Sequence, residues 1–337
     1  MEQKLLDICT HVADSRDVLI KKMNWEMESN LSAIMCAFIY ASKGKDVDVD
    51  RYVECKKILK KEVSVFSEFR GIAGTMIITK MALSDNPEEY LKGALTVYKK
   101  LREIHKLTAS PYMVLAAINI YEKGGVEQSD ELIEKLETLY ASMNRKHAIL
   151  ISDKDRGFLS VLATSGMNSD SILEETENCY KLLSKLSVIN KDGVHSMSQI
   201  LSMFPGNSEE KAEKVKETMQ ALKNVKCPVS KQYGFPGLGA LSMIKKSSDE
   251  IAADVADAES FFKNRKGFKW YNTGGREFRR IYAQLAVSLR YLPDSMDGIG
   301  TQILGSITVA LIEEIIMLII LMEMQAISSS SNSSSGS

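Results

Sequence analysis

A histidine beside an acid, a cysteine among lysines and a glycine-rich turn before a helix are the arrangements in this chain whose residue types can do chemistry. His147 stands near Asp153 and Asp155, and His195 near Asp192, so either could serve as a base with an orienting acid. The ordinary reading of each, a helix-terminal or loop histidine with a local hydrogen bond, is preferred. His11 and His105 are isolated, and a metal site would need histidines distant in sequence to converge. Cys55 lies among Lys56, Lys57, Lys60 and Lys61, whose charge would lower a thiol pKa, but no histidine is near it and a cysteine on a helix face explains the pattern. Gly234, Gly237 and Gly239 in YGFPGLGALS superficially suggest a phosphate loop, yet close helix packing accounts for such small residues. The signatures G-x-x-x-x-G-K-[ST], G-x-G-x-x-G after a strand, H-E-x-x-H and G-x-S-x-G are missing. No catalytic residue, metal or cofactor is assigned.

Two patterns point to binding instead. Short loops hold Phe69-Arg70-Gly71, Ser110-Pro111-Tyr112, Asp155-Arg156-Gly157, Gly193-Val194-His195, Tyr233-Gly234-Phe235 and Gly275-Arg276. In a stacked array such loops line one edge, which makes Arg70, Tyr112, Arg156, His195, Tyr233 and Arg276 the candidate ligand- or partner-binding residues. Arg70, Arg156 and Arg276 would together grip an acidic group, unless each merely caps the preceding helix. The second pattern is KNRKGFKWYNTGGREFRR, residues 263–280, where seven of eighteen residues are Lys or Arg. Arg265, Lys266, Lys269, Trp270, Arg279 and Arg280 form a candidate basic and aromatic patch for an anionic surface. A solvated loop whose aromatics pack inward is the preferred reading.

The elements that must position these residues are helices. Twenty glycines and six prolines are few for 337 residues, and aromatics make up only 7%, which disfavours sandwiches and barrels of strands. Acidic helix starts recur at Glu88, Asp130, Asp170, Glu209 and Asp249, spaced by 42, 40, 39 and 40 residues. In that register Leu91, Ile133, Leu173, Ala212 and Ala252 share a column. Ala94, Leu136, Thr176, Val215 and Val255 share another, and Leu101, Met143, Leu183, Leu222 and Phe262 a third, all on one helical stripe. Asn86-Pro87-Glu88-Glu89, Asn207-Ser208-Glu209-Glu210 and Ser247-Ser248-Asp249-Glu250 supply caps at the starts. Shorter apolar segments precede these amphipathic helices, so the unit reads as a hairpin of one buried and one half-exposed helix.

The expected fold is therefore all-α: an α-solenoid-like array of about six hairpins of roughly forty residues, with a capping helix at each end. Residues 1–30 form the N-terminal cap, 31–292 the hairpin repeats, 293–327 an apolar C-terminal helix and 328–337 a disordered serine-rich tail. The apolar helix is expected to pack on the last hairpin or in an oligomer seam; membrane contact is the alternative, and Glu313 and Glu314 at its middle argue against a span. Five cysteines without a C-x-x-C pair read as reduced, mostly buried thiols, and the N-terminal residues carry no secretory pattern, so a cytoplasmic location is expected. A net charge of −1 creates no overall field for nucleic acid.

The order FSEFRGIAGTMIITKMALSDNPEEYL, then capped helices containing LYASM and CYKLL, then KGFKWYNTGGREFRRIYAQLAVSL and a final apolar helix running into serines, resembles the bacterial domain-of-unknown-function 4003 family over nearly the whole chain. That resemblance implies a bacterial protein, mostly of Gram-positive organisms, and assigns no activity or residue role. The expected function is a non-catalytic cytoplasmic binding scaffold for a protein or peptide. One alternative is an enzyme or carrier with a helical pocket for a small, partly apolar ligand, built on Arg70, Arg156, His195 and Tyr233. The other is attachment to a membrane surface through residues 263–325; nucleic acid is not an expected partner.

Overall fold

Helix starts in this chain are set by short polar side chains that take up free backbone N–H groups. Asn86 accepts from Glu89 N at 3.2 Å, Asn207 from Glu209 N at 2.7 Å, and Ser247 and Glu250 form a reciprocal capping box. Ser110 caps Met113 N in the same way, with Pro111 behind it as the first helical residue. The computed structural model describes residues 1–23, 30–65, 67–70, 73–104, 110–152, 155–186, 190–230, 233–269, 275–295, 302–314 and 316. Among them every regular element is a helix. These are α1 (Gln3–Met23), α2 (Asn30–Ser42), α3 (Val49–Glu62), α4 (Ala73–Leu83), α5 (Pro87–Ile104), α6 (Pro111–Gly124) and α7 (Ser129–Lys146). Then follow α8 (Asp155–Thr164), α9 (Ser169–Leu183), α10 (Lys191–Ser202), α11 (Ser208–Asn224), α12 (Phe235–Ser242), α13 (Ser248–Asn264) and α14 (Arg276–Ser295). A last helix, α15, covers 302–314. The serine-rich tail, 328–337, lies outside the described residues.

Odd and even helices differ in how they are buried. The odd helices α5, α7, α9, α11 and α13 bury one stripe, and the three columns read from the sequence are buried on it except Leu173, where Ile172 turns inward instead. The even helices are buried all round: Tyr112 to Ile120 of α6 and every residue of α12 are covered. A helix that hides its whole circumference needs neighbours on both sides. Of its two neighbours in sequence each even helix packs more on the odd helix before it, α1 with α2 through α13 with α14, while α6 and α8 pack most closely on each other and α12 on α10. This differs from the expected pairing of an apolar helix with the amphipathic one that follows. Short connections such as Ser84 to Asn86 join those two, but the longer-range faces match the preceding helix.

The expected N-terminal cap is a member of the circuit. Besides packing on α2, α1 packs on α13 and α14, so the helix order closes on itself. Phe38 of α2 lies 5.8 Å from Tyr282 of α14 and 6.4 Å from Phe262 of α13, ring centre to ring centre. At the surface of the seam Arg290 holds the Glu2 carboxylate at 2.7 and 3.1 Å, and the Met1 ammonium meets Asp257 at 2.6 Å. Inner neighbours α2–α4, α4–α6, α6–α8, α10–α12 and α12–α14 touch directly, while α7, α9 and α10 carry the circuit between α8 and α10.

The C-terminal helix meets the start of α12 in the last hairpin and also reaches helices far from it in sequence. Gln302 at its start donates to Thr164 O at the end of α8, Glu313 meets Asn119 of α6, and Glu314 meets Gly234 at the start of α12. Val309, Ile312 and Ile316 face α2 and α4. Contacts to α2, α6 and α12, spread around the circuit, put α15 inside it. Ile307 and Ala310 are fully buried there and Leu311 nearly so; burial of an isoleucine or leucine side chain contributes roughly 1.5–3 kcal/mol. No helix among the described residues is long and apolar enough to cross a membrane.

Candidate functional site

Adjacent residues on a helix point about 100° apart, so Glu313 and Glu314 reach different walls of the circuit. Glu313 is 3% exposed. Its Oε1 accepts from the Asn119 amide, whose second N–H goes to Ser160 Oγ at 2.9 Å, and its Oε2 has no partner. Burial pushes this carboxyl up to about 8; the Asn119 bond and the Lys80 charge oppose the rise and Glu122 adds to it. At neutral pH the group is mostly a carboxylic acid. Glu314 Oε1 accepts from Gly234 N at 3.0 Å and also bonds the Gly237 backbone. Burial raises it to about 7 against those two bonds.

The glycine-rich turn that resembles a phosphate loop thus does present N–H groups at a helix start, and the anion they meet is the protein's own Glu314. Gly234 adopts φ 88°, a conformation that favours glycine, and a Cβ at Gly237 would meet the tip of the Gln284 side chain.

Glu313 borders a cavity of about 430 Å³ between α2, α4, α6 and α15. Ile39, Met76, Leu83, Val309, Ile312 and Ile316 make its apolar wall. At its rim Lys80 Nζ lies 2.7 Å from Glu122 Oε2, and Tyr90 donates to Glu122 Oε1 at 2.6 Å. Burial works to raise the Glu122 carboxyl, but Lys80 and the two hydrogen bonds outweigh it and hold the group below its ordinary value. Lys43 and Lys45 stand exposed just past the end of α2. A wider hollow of about 970 Å³ lies between the starts of α11 and α13, but it is an open surface bordered by exposed Glu and Lys side chains. The narrower, half-open cavity, with a buried acid at its wall, is the better candidate.

The cavity opens where α2, α4 and α6 end, opposite the edge at which the sequence places its candidates. Those candidates are held individually. Arg156 is 4% exposed, fastened to Glu137 at 3.2 and 3.4 Å and stacked over Tyr140. Arg276 and Arg280 both donate to Lys226 O at 3.0 Å. Tyr233 packs edge-on to Phe278, Tyr112 is 8% exposed at the start of α6, and Arg70 keeps a buried Nε without partner. In the basic stretch Arg279 turns inward to Glu259 at 3.1 Å, Arg265 lies over Phe261, and Lys266 and Lys269 follow at the loop; Trp270 lies outside the described residues. Arg279 is therefore a core residue and takes no part in an exposed patch.

His147 finds its acid in Glu177, at 2.8 Å, while Asp155 bonds Ser152 N at 2.7 Å. Tyr180 and His195 pack on His147 at 5.0 and 5.2 Å. Burial, then the His147 charge, lowers His195 to about 4, so it is neutral in ordinary conditions, with Nδ1 facing Gln199. Asp153 and His105 lie outside the described residues. Burial pushes the Cys55 thiol up to about 11, away from a reactive thiolate, and all five cysteines are buried thiols outside any disulfide. Among the described residues no cluster of three His, Cys, Asp or Glu is arranged to hold a metal ion. The cavity residues missed in the sequence carry a faint signal: Lys80 is the one charge in IAGTMIITKMALS, and Asn119 the one polar side chain in VLAAINI.

Fold and cavity together define an all-helical protein whose C-terminal helix sets a buried glutamic acid, Glu313, at a cavity wall. The chain belongs to the family described as Protein of unknown function (DUF4003), whose model matches residues 17–324. No curated protein and no solved structure matches the chain.

Proposed function

We propose that this chain is a non-catalytic binding protein, built as a closed circuit of helical-hairpin repeats, that takes a small, partly apolar ligand in the cavity beside α15. The observation that carries the reading is the Glu313 carboxyl, buried at the cavity wall with one oxygen unpartnered. A buried polar atom left unsatisfied costs roughly 1–3 kcal/mol, a cost that a bound polar group would relieve. The cavity volume, about 430 Å³, falls within the roughly 300–1,000 Å³ of small-molecule sites. A reducing, cytoplasmic setting suits five buried thiols that form no disulfide. Binding of a protein or peptide along the loop edge has less support, because Arg156 and Arg276 already have internal partners.

The test is binding of the neutral apolar fluorophore N-phenyl-1-naphthylamine to the full chain and to Ile312→Trp, which fills the cavity. The expected result is saturable binding that the variant weakens at least about tenfold. Equal binding by both proteins would overturn the reading.

A further inference from the structure

The charges around the cavity narrow the ligand class. Lys43, Lys45 and Lys80 stand at the rim against the single carboxylate of Glu122, and Glu122 is already shared between Lys80 and Tyr90. Neither Lys43 nor Lys45 forms an ion pair among the described residues. A ligand cation at this rim would face three ammonium groups, whereas an anion would be attracted by all of them. Behind the rim the wall is aliphatic, from Ile39 and Met76 to Ile312 and Ile316, and it is narrow enough at about 430 Å³ for one chain and not for a two-tailed lipid. Glu313, whose Oε2 is buried without a partner, lines the same cavity.

We propose that the cavity binds a single-chain amphiphile with a carboxylate head, the head among Lys43, Lys45 and Lys80 and the chain along Ile39, Met76, Ile312 and Ile316. The Glu313 carboxyl then donates its hydrogen to the ligand carboxylate, and the orphaned oxygen becomes a hydrogen-bond donor with an acceptor. This pairing of an acid with a carboxylate is favoured by burial, which keeps Glu313 protonated near neutral pH. The ligand class rests on the cavity reading given above.

Titration calorimetry of the full chain with dodecanoate, dodecanol and dodecylammonium, each below its micellar concentration, separates the two claims. Dodecanoate is expected to bind about tenfold or more tighter than dodecanol, and dodecylammonium weakest. The double substitution Lys43→Glu and Lys45→Glu, both on exposed side chains, is expected to weaken dodecanoate by about tenfold while leaving dodecanol unchanged. If dodecanol equals dodecanoate, or dodecylammonium binds tightest, the carboxylate class is wrong and the cavity reading stands. Should none of the three bind, both fall.

Discussion

Glu313 costs stability in its charged form and is tolerated in its neutral one. Its ordinary value is 4.5 and burial raises it to about 8. Between those two pH values the folded chain keeps a proton that the unfolded chain has released, so stability falls as pH rises through that window and levels above it. The charged groups that act on it are Lys80, which opposes the rise, and Glu122, which adds to it. At about 1.4 kcal/mol per tenfold change in proton affinity the cost is on the order of a few kcal/mol. Glu313→Gln keeps the shape and removes the titration. The melting temperature of the variant is expected to fall less than that of the parent between pH 5 and about 8.5, with a residual slope from Glu314; parallel curves would refute the assignment. Lys211 is the opposite case, a buried cation held by Glu175 at 2.7 Å and by the carbonyls of Leu201 and Phe204 at 3.1 and 2.6 Å. Lys211→Met is expected to lower the unfolding free energy in urea by about 3 kcal/mol, since it strands Glu175 and two carbonyls. A change below about 0.5 kcal/mol would mean that the site is solvated. In EEKAEKVKETMQ this lysine looks like its exposed neighbours, because nothing in one helix tells which lysine meets another helix's carboxylate. Glu313 and Glu314 were legible as an anomaly, two acids in an apolar run, although their partners were not.

At the scale of elements, the sequence discloses helix starts and the buried stripe of each outer helix, since caps and periodicity are local. It does not disclose which face of an all-apolar helix meets which neighbour, and there the expected pairing with the following helix gives way to the preceding one. Gly93 marks such a contact. It sits in the middle of α5, and a Cβ there would lie 2.0 Å from the ring of Tyr121 on α6. In an isolated helix alanine is favoured over glycine by about 1 kcal/mol, but overpacking costs about 1–3 kcal/mol. Tyr121 is not free to move aside cheaply, because its ring packs edge-on to Tyr90 at 5.4 Å. Gly93→Ala is therefore expected to destabilise the parent by about 1 kcal/mol and to stabilise a Tyr121→Ala background. Measuring chemical unfolding of the four proteins checks this, and the same sign in both backgrounds would show that the ring does not set the limit.

For the whole molecule, the all-helical class was legible and the meeting of α1 with α13 and α14 was not. A forty-residue period says how units follow one another; the small rotation between units, which decides between an open spiral and a closed circuit, depends on side-chain volumes at every interface. The apolar C-terminal helix was a clue, because a surface helix does not carry Ile, Leu and Val on all sides, and a lumen supplies the missing cover. Packing of α1 on α13 and α14 joins helices from the two ends of the circuit into one cooperative unit, which gives a test far from any ligand. Phe38 is fully buried at the seam, between Phe262 and Tyr282. Phe38→Ala is expected to cost about 3–5 kcal/mol. In a closed circuit that loss is not confined to α2, because α1, α13 and α14 share the seam. Amide hydrogen exchange is expected to quicken in α1, α13 and α14, more than two hundred residues away for the last two. Leu136→Ala, an equally buried site on α7 across the circuit, should leave those three helices protected. Faster exchange limited to α2 and its sequence neighbours in the Phe38 variant would mean that the two ends touch without supporting one another, and that the array behaves as an open one.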